Sequence, residues 1–136
     1  MRRLILKFLS LFFLGFFFLP AISAQAREAY SPIAIKIQFK KTVLKVNEPI
    51  TGQIVLTNSY PATLPAVFDV QLFQEGKLVT FSTTEIRTVI PGRNRYTLQE
   101  FGVPSVVNPG RWRLVISQHG VSKSRTAYAS FKVISQ

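Results

Sequence analysis

The sequence predicts an all-β fold, a single antiparallel two-sheet sandwich of seven or eight strands behind a removable N-terminal leader. Three observations carry this expectation. Short β-branched and aromatic runs alternate apolar and polar residues with a period of two. Turn signals separate them at Asn47-Glu48-Pro49, Asn58-Ser59-Tyr60-Pro61, Glu75-Gly76, Pro91-Gly92, Asn108-Pro109-Gly110 and His119-Gly120. No stretch of ten or more residues holds a 3.6-residue period, and seven Pro and six Gly beyond residue 26 oppose long helices.

The leader comes first. Arg2, Arg3 and Lys7 form a basic start, Phe8 to Leu19 is an apolar run, and Pro20 ends it. Ala24-Gln25-Ala26 then places small residues where a signal peptidase cuts, before Arg27. Cleavage after Ser23 is the alternative. The apolar run is shorter than the roughly 20 residues that span a bilayer. Residues 1–26 are therefore expected to be a signal peptide, and 27–136 one sandwich domain with no transmembrane helix. Beyond residue 26 the chain keeps 14 basic and 6 acidic residues, a net charge of +8.

The strands follow in order. Ile33, Ile35, Ile37 and Phe39 alternate with Ala34, Lys36, Gln38 and Lys40. Ile50, Ile54 and Leu56 share one parity; Thr51, Gln53 and Thr57 share the other. Phe68, Val70 and Leu72 alternate with Asp69 and Gln71, and Ile86, Thr88 and Ile90 mark another strand. Tyr96 and Leu98 mark the next. Trp112, Leu114 and Ile116 alternate with Arg111, Arg113, Val115 and Ser117, and Ala127, Ala129, Phe131 and Val133 close the series. Residues 58–65 and 102–110 read as loops, the second long enough to cross between sheets. Gly76 and Gly120 suit turns that need positive φ. A small closed barrel is the alternative architecture.

The stretches Asn47 to Asn58, Asp69 to Val79 and Asn108 to Ile116 resemble the strands and hairpins of extracellular immunoglobulin-like sandwiches. Macroglobulin-type and bacterial envelope modules are of this kind. The resemblance implies an immunoglobulin-like sandwich over roughly residues 33–134. It carries over no functional residue, because the thioester cysteine and the paired cysteines of related domains have no counterpart in a chain with no Cys.

Catalytic and metal chemistry find little support. Without Cys there is no disulfide, no thiolate-ligated zinc and no lipidated cysteine. His119, the one histidine, reads as an exposed turn residue. Glu48 and Glu75 fall at turns, and Asp69 and Glu100 are expected on outward strand faces, so no acid/base pair is expected. The sequence holds no nucleophile elbow and no phosphate-cradling glycine loop. No catalytic, metal-binding or cofactor-binding residue is assigned, and no cofactor is expected.

One feature stands out. Pro91-Gly92-Arg93-Asn94-Arg95 and Pro109-Gly110-Arg111-Trp112-Arg113 repeat the pattern P-G-R-x-R, each a turn feeding a strand. Parity turns Tyr96 and Trp112 inward, so Arg93, Arg95, Arg111 and Arg113 point outward, where they can serve solubility or bind carboxylate and phosphate groups. The two turns share one end of the sandwich only if residues 102–110 hold an extra strand. Other basic residues, among them Lys36, Lys40, Lys41, Lys45, Lys123, Arg125 and Lys132, fall on outward positions or loops. The aromatics are expected to be mostly buried, which opposes specific nucleic-acid binding.

The expected function is that of an exported, non-catalytic binding or accessory module, periplasmic or extracellular, in a bacterial envelope. It would contact another envelope protein or an anionic glycan or lipid surface, as a monomer or weak oligomer. A strand-donating structural subunit of a surface assembly, using Ile33 to Phe39, is the second reading. An enzyme is the third.

Overall fold

A computed structural model describes residues 31–106, 108–121 and 126–135. The leader expected over residues 1–26, and Lys123 and Arg125, lie outside the described residues. Among the described residues eight strands form two sheets: β1 (Ile33–Phe39), β2 (Val43–Lys45), β3 (Gly52–Asn58), β4 (Leu64–Gln74), β5 (Lys77–Val89), β6 (Gly92–Thr97), β7 (Gly110–Gln118) and β8 (Ala127–Ile134). One sheet has the order β1-β3-β6 and the other β2-β8-β7-β4-β5. The sheets are open and separate, so the barrel alternative does not form. An all-β two-sheet sandwich is what the alternating pattern predicts.

Alternation decides which side each strand buries. Ile54 and Leu56 face inward from β3, while Phe68, Val70 and Leu72 from β4 meet Leu114 and Ile116 from β7 and Phe131 and Val133 from β8 in one core. Two aromatic groups brace it. Trp112 stacks on Phe131, whose edge meets Phe39 at 5.3 Å. Phe68 and Tyr96 both pack on Phe101.

The structure corrects several local expectations. β2 is not foreseen by the sequence pattern, and it pairs parallel to β8, so the larger sheet is mixed rather than purely antiparallel. The chain changes sheets over residues 40–42: Lys40 N–H donates to Thr51 O at 2.9 Å, and Lys132 N–H donates to Thr42 O at 2.8 Å. β4 and β5 are longer than their patterned cores suggest. Glu75 and Gly76, both at positive φ, turn one into the other. The strand expected through Leu98 stops at Thr97, and a 3₁₀ turn follows over Gln99–Phe101. Glu100 therefore sits on that turn and not on a strand face. Its carboxylate accepts hydrogen bonds from the Thr97 N–H and hydroxyl at 3.1 Å each. Phe101 is driven into the core, and among the described residues between it and β7 there is no extra strand.

A polar anchor at one end and a close backbone approach at the other hold the strands in register. Buried Asn58 donates from Nδ2 to Val89 O (2.8 Å) and Ala62 O (3.0 Å) and accepts from Tyr60 N–H (2.9 Å). Gly52 lies so close to β1 that a Cβ would stand 2.2 Å from Gln38 O. β1 itself pairs with β3 along its whole length, from Ile33 opposite Asn58 to Phe39 opposite Gly52.

Candidate binding faces

The four arginines nominated by the repeated turn are all exposed. They do not come together. β6 starts beside Asn58, which bonds Val89 at the end of β5. β7 starts at the opposite end, where Gln74 Nε2 donates to Pro109 O at 2.9 Å beside the β4–β5 hairpin. Arg93 and Arg95 lie on the outer face of the three-stranded sheet, Arg111 and Arg113 on the outer face of the five-stranded one.

Register sets what surrounds each pair. On the three-stranded sheet, Lys36, Val55 and Arg95 stand directly across from one another, as do Ala34, Thr57 and Arg93. Gln38, Gln53 and Thr97 form the next row, with Gln53 Nε2 donating to Gln38 Oε1 at 2.6 Å. Val55 is on the outward side yet 7% exposed. It sits between Lys36 and Arg95, whose long stems are placed to cover it. A concavity of about 430 Å³ is lined by Lys36, Gln38, Gln53, Thr57, Arg93 and Arg95. No acid lines it, and among the described residues none of these three cations is in an ion pair. Three cations within two adjacent rows, with their charges unneutralised, create a positive field over that face.

The other pair is engaged differently. Arg113 lies over the Phe73 ring at 5.3 Å and the Tyr128 ring at 5.8 Å, a cation–π arrangement on both sides. Arg111 stands opposite Lys132 in register, and its backbone N–H donates to Glu75 Oε1 at 2.8 Å. A groove of about 590 Å³ there is lined by Arg111, Arg113 and Lys132, and also by Glu75, Trp112 and Phe73. This face is mixed in charge and partly aromatic. Tyr128 and Phe81 are exposed on it, against the expectation that the aromatics are mostly buried. The sheet has only one inner side, and their parity puts them on the other.

His119 is exposed at the turn after β7, and its Nδ1 is 3.0 Å from Asp69 Oδ1. Thr83 donates to the same oxygen at 3.2 Å. The pair ties the end of β7 to β4. No group of three or more His, Cys, Asp or Glu residues able to hold a metal occurs among the described residues. Among them no helix is long and apolar enough to cross a membrane.

Lys36 is the functional candidate that sequence reasoning did not join to Arg93 and Arg95. Its outward parity was readable, but its partnership needs the β1–β3–β6 strand order.

No protein-family model matches the chain, and no curated protein matches it. Solved structures do. The CARDB domain of a Pyrococcus furiosus protein, determined in complex with di-metal ions, is 14% identical at a TM-score of 0.51, over 76% of this chain and 94% of that one. A Listeria innocua β-glucosidase matches over 79% of this chain at 15% identity and a TM-score of 0.50. A Pseudomonas fluorescens alkylpurine DNA glycosylase bound to DNA with an abasic-site analogue matches over 76% at 14% identity and a TM-score of 0.51. The match spans 16% of the glucosidase and 30% of the glycosylase. These likenesses concern the β-sandwich fold alone.

Proposed function

We propose that the chain is an exported, non-catalytic binding module of a bacterial envelope. In this reading residues 1–26 are a cleaved signal peptide and the sandwich is of immunoglobulin-like type. The outer face of the three-stranded sheet holds an anionic envelope surface, presenting phosphate or carboxylate groups to Lys36, Arg93 and Arg95. One observation carries the reading: these three cations share adjacent cross-strand rows, and no acid lines the concavity between them. Arg93 and Arg95 offer planar, two-pronged donors, and Lys36 adds a mobile point charge. The full pairing of β1 with β3 favours a self-contained module over a strand donor.

The test is direct binding of the protein, purified after expression with its own leader, to vesicles containing anionic phospholipid and separately to soluble polyphosphate. Each cation near an anionic surface contributes about 1 kcal/mol. Replacing Lys36, Arg93 and Arg95 together by Ala should weaken binding on the order of 100-fold. Loss on vesicles alone assigns a lipid surface; loss on both probes assigns phosphate chemistry in general. Unchanged binding in a folded triple variant contradicts the proposal.

A further inference from the structure

Among the described residues β5 is the longest strand, at 13 residues, and it lies at the edge of the five-stranded sheet. Among the described residues it pairs only with β4. Its other side presents unpaired backbone donors and acceptors, a template for another strand. Leu78, Val79 and Phe81 are each more than half exposed. The run Leu78 to Thr84 contains no charge, no Pro and no Gly. The other edges are unlike it. β2 is three residues long. β1 and β6 carry Lys36, Arg93 and Arg95, which would repel a second copy of themselves. The register irregularities between β4 and β5 fall outside Thr80–Ile86, so that stretch stays regular against Ala66–Leu72.

We propose that β5 pairs antiparallel with β5 of a second copy of this chain, about a two-fold axis at Phe81. Sequence complementarity selects that register. Phe81 then faces Phe81, Thr80 faces Ser82, and Val79 faces Thr83. The bulge at Val79 interrupts the ladder beyond that point and leaves Lys77 near Glu85 at both ends. Aromatic pairs directly across a ladder, and opposite charges at its ends, stabilise it. Centring one residue further brings Lys77 towards Arg87, a like charge. Centring on Thr83 sets Phe81 against Glu85. The two-fold makes the contact close on itself, joining two five-stranded sheets into one of ten strands, so it gives a dimer and not a fibre. The basic face of the other sheet takes no part and stays free.

The absence of Cys makes the test clean. Phe81→Cys should form a disulfide-linked dimer under mild oxidation, and Thr88→Cys should not. The unaltered protein should show a concentration-dependent monomer–dimer equilibrium in sedimentation velocity. Phe81→Lys should be monomeric, because two ammonium groups would then face each other, and so should Phe81→Glu. An equimolar mixture of these two variants should restore a dimer. The exposed position keeps the fold intact, as circular dichroism would check. Three results would overturn the proposal: an unaltered protein that stays monomeric at its highest soluble concentration, a dimer that survives Phe81→Lys, or a monomer that instead takes up only unrelated extended peptides on this edge.

Discussion

Asn58 is where a single side chain holds most of one end of the sandwich. It serves two carbonyls and one N–H across the β3–β4 loop and the end of β5. Asn58→Ala strands those groups in a buried site and should cost about 1–3 kcal/mol in urea unfolding. Tyr96 gives a pH signature. Burial first, and the charge of Glu100 second, raise its phenol pKa above 10.0. The folded protein therefore keeps this proton to higher pH than the unfolded chain does. Its contribution to stability is complete below a pH of 10.0 and is lost as pH rises through the folded-state pKa. Absorbance titration should show a tyrosine ionisation above pH 10.0, and Tyr96→Phe should remove it. The arginines illustrate what was readable at this scale. Their outward direction follows from the parity of Tyr96 and Trp112. Their separation onto two sheets does not, because parity says which side a residue faces and nothing about which sheet it belongs to.

Among the elements, the strands with strict alternation were the legible ones. Leu64–Gln74 and Ala127–Ile134 alternate more and less buried residues, so the period of two survives in the sequence, whereas Gly110–Gln118 also buries Val115 on its outward side. β5 was legible only around Ile86: against the expected alternation of Ile86, Thr88 and Ile90, Val89 is the buried residue at its end and Ile90 lies beyond the strand, more than half exposed. Its N-terminal part exposes Leu78, Val79 and Phe81, and an edge strand with apolar residues on the wet side loses the pattern. β2 is too short for any period. Phe101 left no signal because a single anchor on a 3₁₀ turn has no periodicity, yet it contacts Phe68 and Tyr96 and is fully buried. Phe101→Ala should cost about 3–5 kcal/mol, a far larger loss of denaturation midpoint than for any substitution at the exposed Arg93 or Arg95. Ser82 makes the opposite point. Its buried hydroxyl has no partner among the described residues, so Ser82→Ala should be neutral or mildly stabilising in the same experiment.

At the scale of the whole molecule, two sheets separate two kinds of surface. One outer face holds a basic concavity lined by Lys36, Arg93 and Arg95, with Glu100 in the neighbouring concavity that Arg95 also lines; the other face mixes Arg113 with aromatic rings and Glu75. The two outer faces lie further apart than the roughly 10 Å between packed sheets, and the field of an anionic surface falls off within about 10 Å near 0.1 M salt. Cations on the far face therefore add little to binding at the near one. The most direct measurement is vesicle binding near that salt concentration, comparing the Arg93→Ala/Arg95→Ala protein with the Arg111→Ala/Arg113→Ala protein. Each variant removes two charges, so net charge cannot explain a difference. The first should lose on the order of 30-fold and the second less than about threefold. Equal losses in the two variants, or a larger loss in the second, would contradict it.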